Sequence, residues 1–224
     1  MNLRGHRLFL AFCATLLLCH DGRAEEKIAP GKEYQDAYSN SLQAFNKKEY
    51  DQALTFLNLA EKIQPGLPST KILNGNILLR QRKFDEAQAI YQDLYAKDPN
   101  NIPVLFNLAE CHFLKKEYAD AKKLFLLFSQ SNQGKQQTLG QYNVFLCDLL
   151  LGNDAEVRKT LTSLTPSAAD PYYYFANAAY DYKIGNPDAA RQYLGPAFHN
   201  YPLELSGTFA DPLIELGYIN LKKP

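Results

Sequence analysis

The chain of 224 residues has no tryptophan, one methionine and four cysteines. Two of the cysteines, Cys13 and Cys19, stand in an apolar N-terminal stretch, so the body of the chain holds only Cys111 and Cys147. No CxxC pair is formed, and none of the spacings that place ligands around a zinc ion is present. A surplus of charge is absent as well, with 24 lysines and arginines against 24 aspartates and glutamates. Nothing basic suits a nucleic acid, and no acidic run suggests a solvating tail. Histidine is scarce: beyond the leader region only His112 and His199 occur, far apart in the chain. His112 sits between Cys111 and Phe113. Helical neighbours point different ways, so Cys111 and His112 cannot chelate one ion, and His112 reads as a packing residue. The HExxH, GxSxG, Walker and GxGxxG signatures are all missing. Acid pairs such as Asp85-Glu86 stand at helix starts, where they favour the helix dipole. These absences argue against an enzyme and against any metal or cofactor.

No apolar run approaches the roughly 20 residues that span a bilayer. The longest, Leu8 to Cys19, follows Arg4 and Arg7 and precedes the small–x–small run Gly22-Arg23-Ala24. That order reads as a secretory signal peptide over 1–24, with cleavage expected after Ala24. Cys19 follows Leu16-Leu17-Leu18, with no small residue before it, so a lipid anchor is not expected. The expected location is periplasmic or secreted, without a stable membrane anchor after cleavage. Residues 25–33, with Pro30 and Gly31, read as a flexible lead-in.

What the chain does have is a period. Tyr50, Phe84 and Tyr118 are 34 residues apart, as are Ala53, Ala87 and Ala121; Pro65 and Pro99 keep the same step. A period of this length marks an array of helix–turn–helix units, none of which buries its apolar stripe alone. The first hairpin is expected from Tyr34 to Ile63, the second from Ser69 to Lys97 and the third from Ile102 to Gln130. Two less regular hairpins follow, turning at Gly152-Asn153-Asp154 and Gly185-Asn186-Pro187-Asp188, with helices expected over 138–151, 155–164, 172–184 and 188–200. Tyr201-Pro202 should stop the last of these. A loop near Ser206-Gly207 is expected, and Asp211-Pro212 carries the signals of a helix start.

Runs such as Tyr50-Asp51-Gln52-Ala53-Leu54, Phe84-Asp85-Glu86-Ala87 and Tyr118-Ala119-Asp120-Ala121 resemble the tetratricopeptide repeat, as do the small residues Ser41, Gly75 and Ala109 and the closing prolines. The likeness covers Tyr34 to Asn132 well, although the early tryptophan is missing and Gln133 stands where proline would. It implies an all-α, right-handed solenoid of antiparallel helix pairs over 34–202, about five repeats, with a capping helix in 203–224. It also implies a concave face lined by the first helices. On that register the outward positions hold Tyr38, Phe45, Asn76, Leu79, Arg80, Phe106, Glu110, Phe113, Tyr142, Phe175 and Tyr182, together with Ile72, Leu146, Leu149 and Lys183. Phe106 and Phe113 lie two turns apart and are expected to present rings to one side. Lys122 and Lys123 are expected on the convex face. Tyr38 and Leu42 stand where the family's chaperone-binding members carry lysine and asparagine, which disfavours a chaperone co-factor.

The expected function is to bind a peptide or helix of a partner protein in the groove. One alternative is an envelope or secretion scaffold acting through the convex face or by self-association into a homo-oligomer. Another is a binder of glycan or cell-wall peptide through Tyr172, Tyr173 and Tyr174. Cys111 and Cys147 fall at matching places in adjacent repeats, where helix axes about 8–10 Å apart exceed disulfide reach, so both are expected as free thiols.

Overall fold

The computed structural model describes residues 30–220. The predicted leader, its cleavage site and residues 25–29 of the lead-in lie outside them. Among the described residues the structure is entirely helical: α1 Lys32–Asn46, α2 Tyr50–Ile63, α3 Pro68–Arg80, α4 Phe84–Lys97, α5 Ile102–Leu114, α6 Tyr118–Gln130, α7 Gly134–Leu151, α8 Asp154–Ser163, α9 Tyr172–Lys183, α10 Pro187–His199 and α11 Leu203–Glu215. The odd-numbered helices are the first members of hairpins, the even-numbered ones the second. The chain divides into two compact units at Cys111/His112, and their described parts are residues 30–111 and 112–220.

Each first helix ends in the same turn. A residue with positive φ follows the helix at Lys48 (65°), Arg82 (61°), Lys116 (65°), Gly152 (77°), Gly185 (81°) and Gly217 (75°). The next N–H then donates five residues back, from Glu49 to the Ala44 carbonyl, Lys83 to Leu78, Glu117 to His112, Asn153 to Asp148, Asn186 to Asp181 and Tyr218 to Leu213. This is the Schellman closure, which satisfies carbonyls that a helix end otherwise leaves bare. The second helices of the first two hairpins stop at Gln64 and Asp98, both extended, because the prolines behind them exclude the α conformation.

Close approach of neighbouring helices comes from small residues, within hairpins at Ser41 and Gly75 and between hairpins at Gly140. A Cβ on Gly75 would lie 2.5 Å from the Tyr91 ring, and one on Gly140 would lie 2.6 Å from the Ser129 Cβ and 2.9 Å from its Cα. Ser41 fills the equivalent place in α1 and donates its hydroxyl to the Ala53 carbonyl at 2.8 Å. Ala53, Ala87, Ala121 and Ala190 are all fully buried. In the N-terminal unit the core also holds a polar knot. The Asn76 carboxamide oxygen accepts from the Tyr91 hydroxyl at 2.5 Å and from Asn107 Nδ2 at 3.1 Å. In the C-terminal unit Lys122 bridges to the nearly buried Asp148 at 2.6 Å, and Asn153 donates to the same carboxylate oxygen. Lys122 thus ties α6 to α7, while Lys123, paired to Asp120, is exposed.

Three boundaries differ from the sequence reading. Helix α1 begins at Lys32, inside the segment read as lead-in, with Gly31 as its cap. Helix α7 begins at Gly134, four residues before the expected start. The last helix does not open at Asp211-Pro212 but at Leu203, and it carries Pro212 inside it. Ser206 and Gly207, expected in a loop, are helical and buried, with the Ser206 hydroxyl donating to the Ala197 carbonyl at 2.7 Å. Burial of Phe209, Ala210 and Leu213 on one face outweighs the propensity penalties of Gly207 and Pro212. Cys111 and Cys147 are buried and form no disulfide, as expected.

Candidate functional site

The outward register assigned to the first helices splits into residues that reach the surface and residues that do not. In the N-terminal unit Phe45 and Leu79 are about 5% exposed or less and belong to the core; Ile72 and the Asn76 of the polar knot are buried too. Phe45 packs on Tyr50, ring centroids 5.9 Å apart. Tyr38, Arg80, Phe106 and Glu110 keep part of their surface accessible. Tyr38 stacks on Tyr34 with centroids 5.8 Å apart and planes 12° from parallel. Burial raises its phenol well above the ordinary tyrosine value, and its hydroxyl has no hydrogen-bond partner. Arg80 and Glu110 face each other across α3 and α5 at 3.8 Å, an ion pair whose two heads remain partly wet.

In the C-terminal unit Phe113, Tyr142, Leu146, Leu149 and Phe175 are all buried. Phe113 packs edge-on to Tyr118 at 5.5 Å and to Phe125 at 6.4 Å, so it cannot offer its ring beside that of Phe106. Tyr142 is clamped by Tyr172, Phe175 and Phe209 at 5.7, 6.4 and 5.1 Å. Its hydroxyl is left without a partner and burial drives its acidity far down. Tyr182 alone of the expected aromatics there is half-buried, stacked on Tyr218 at 5.4 Å and 12°. Lys183 is exposed. The physical reason for the correction is common to all the buried residues. A first helix is flanked by neighbours on both sides, so a stripe wide enough to look like a groove is partly the seam between helices.

Tyr172 is likewise a core residue, its hydroxyl donating to the Gln141 carbonyl at 3.3 Å. Tyr173 and Tyr174 are half-buried and edge-to-face with one another at 5.1 Å. Sequence reasoning missed their company. Tyr193 lies 6.0 Å from Tyr173, and Tyr201 lies 6.0 Å from Tyr174, its hydroxyl donating to the Ser167 carbonyl. Tyr193 and Tyr201 fall outside any repeat position, so no spacing could have flagged them.

Chemistry of other kinds finds little to work with. Burial pushes the Cys147 thiol up to about 12, which keeps it protonated and inert. No group of three potential ligands is close enough to hold a metal among the described residues. His112 makes a 2.6 Å contact to Glu117, which Lys115 also approaches at 3.1 Å. Lys115 foremost, and the hydrogen bond with His112, lower the Glu117 carboxyl below its usual range. A shallow cleft over α2, α3 and α4 is lined by Asn58, Glu61, Lys71 and Asn74, but its Asp93 is already bridged by Lys71 and Lys97. No described helix is long and apolar enough to cross a membrane.

Residues 78–137 match the family model of the tetratricopeptide repeat. Two solved structures share the fold. One is a thermophilic TPR protein of Thermus thermophilus, 20% identical, covering 81% of this chain and 99% of its own, with a TM-score of 0.57. The other is a tetratricopeptide repeat protein from Parabacteroides merdae, also 20% identical, covering 84% and 75%, with a TM-score of 0.54. No curated protein matches the chain.

Proposed function

The chain carries tetratricopeptide repeats, and on that premise we propose that it holds a segment of a partner protein against the accessible part of its first-helix faces. Repeats of this kind mediate protein–protein interaction. The observation that carries the finer reading is the pair Arg80–Glu110 with Phe106 one turn before Glu110: a partly wet ion pair beside a partly exposed ring. Arginine and aromatic anchors of this type are enriched where interfaces concentrate their energy. In the C-terminal unit the stacked Tyr182 and Tyr218 offer the same mixture of apolar face and polar rim. The leader-like N-terminus supports export, so the partner is sought in envelope or secreted fractions.

The test is a pull-down with the chain from envelope extract, read by mass spectrometry, followed by affinity measurements on the partner found. Phe106→Ala should weaken binding by about 2 kcal/mol, roughly thirtyfold, while Lys123→Ala should leave it unchanged. Thermal melting controls for folding. Equal affinity of a folded Phe106→Ala, Arg80→Ala double variant would reject the first-helix face. N-terminal sequencing tests export; an intact Met1 in the exported pool, or a lipid on Cys19, would contradict it.

A further inference from the structure

The face of α9 that turns away from the core carries Tyr173, Asn177 and Asp181 at successive turns, all half-buried. Tyr193 of α10 packs against the Tyr173 end of this row. Its ring is 6.0 Å from that of Tyr173 and 74° from parallel. Tyr193 also feels the field of the Asp181 carboxylate. Tyr173 therefore braces the ring of Tyr193 against one end of a short row of acceptors.

Those acceptors are unmatched. Among the described residues no cation and no hydrogen-bond donor is paired with the Asp181 side chain. The nearest arginine on α10, Arg191, is engaged with Asp188 instead. Asn177 donates its amide to the Tyr173 carbonyl at 2.7 Å, which leaves its carboxamide oxygen, one turn from Asp181, without a donor. A half-buried carboxylate without a counter-charge is unfavourable, and here burial raises the Asp181 carboxyl above its usual range. A folded chain keeps such a group at a cost unless something outside supplies the charge.

We propose that this face is a receptor for one cationic side chain, a lysine or arginine on a partner segment. Asp181 takes the ammonium or guanidinium head, the Asn177 oxygen accepts a second N–H, and the ring of Tyr193 takes the cation and its alkyl stem. Charge complementarity selects the occupant: a carboxylate without a counter-charge, a carboxamide oxygen one turn away and a neighbouring phenol ring match a cationic donor. Asp181 adjoins Tyr182 on α9, itself a first helix, so the site rests on the reading of a partner held on the first-helix faces and deepens it; a peptide titration can fail here while the pull-down succeeds, which keeps the two apart.

The experiment is a titration of the full isotope-labelled chain with acetyl-Gly-Arg-Gly-amide, followed by backbone amide shifts. Saturable shifts centred on Asn177, Asp181 and Tyr193 are expected, with none from acetyl-Gly-Gln-Gly-amide. Asp181→Asn, nearly isosteric, should weaken the arginine peptide about tenfold or more. Tyr193→Leu should weaken it about threefold, and Lys123→Ala should not change it. An equal response to the glutamine peptide needs no variant to read and would overturn the proposal. So would shifts produced by chitobiose but not by the arginine peptide, or unchanged affinity in Asp181→Asn.

Discussion

The hairpin turns of the two units reach one geometry by different chemistry. Lys48 and Arg82 in the N-terminal unit, and Lys116 at the start of the C-terminal one, hold positive φ without being glycine. Each is followed two residues later by an aromatic: Tyr50, Phe84 and Tyr118. Tyr50 packs on Phe45, Tyr118 packs on Phe113, and the Arg82 guanidinium lies 5.0 Å over Phe84. The later turns have Asp154, Pro187 and Ile219 at the same offset, and there the strained position is Gly152, Gly185 or Gly217. Left-handed backbone costs a residue with a Cβ about 1–2 kcal/mol and glycine almost nothing. The aromatic that defines the repeat and the glycine that replaces it are thus two ways to stabilise one Schellman turn. Where the turn aromatic is missing, in the later hairpins of the C-terminal unit, glycine holds the positive φ and the turn itself persists.

The most damaging changes should come where helices touch, and they should be alike in both units. Gly75→Ala drives a methyl into Tyr91, whose hydroxyl is pinned by Asn76 and the Ile72 carbonyl. Gly140→Ala meets the backbone of Ser129. Each should cost about 2–3 kcal/mol by chemical denaturation. Tyr91→Leu should relieve Gly75→Ala in part, and failure of that rescue would show that the ring is not the obstacle. Next in size are the turns. Gly152→Ala and Gly185→Ala should each destabilise by about 1 kcal/mol. Lys48→Gly and Arg82→Gly should be neutral or stabilising by up to about 1 kcal/mol. Equal losses at all four sites would dissolve the distinction between the two kinds of turn.

Two carboxylates of the C-terminal unit then sharpen the contrast within it. Asp181 has a raised folded pKa, so its charged form is the disfavoured one. The destabilisation it brings is fully present at neutral pH and fades as pH falls into the carboxylate range, where the folded state takes up the proton first. Asp181→Asn should therefore raise the melting temperature at pH 7 and have less effect near pH 4. Glu117 is the opposite case. Its folded pKa is lowered by Lys115 and His112, so its contribution is present above the ordinary glutamate value and is lost as pH falls through the lowered one. Glu117→Gln should cost little, because the group is well exposed, and that small loss should vanish in acid.

The hairpins up to Gln130 were legible because period, turn aromatics and prolines agree there. The last helix was not, since Pro212 and Gly207 signal breaks that only the burial of Phe209 and Leu213 overrides. The candidate site was legible only as a stripe. The column Phe45, Leu79, Phe113 is buried at every repeat, while in the column Tyr38, Ile72, Phe106 only the middle member is. Sequence periodicity finds a helix face but cannot divide it between the seam and the surface, because that division depends on side-chain volume in the adjoining helices. Asp181 was invisible for another reason: an unpaired carboxylate is recognised by what is missing around it, and neighbours in space are not read from a single helix.

The central claim is that a partner segment lies along the first-helix faces. Photo-crosslinking residues placed singly at Phe106, Tyr182 and Lys123, in an otherwise intact chain, test it most directly. The partner recovered by pull-down is expected to crosslink from positions 106 and 182, and not from 123. Crosslinks from 123 with none from 106 or 182 would contradict it and assign the partner to the convex face.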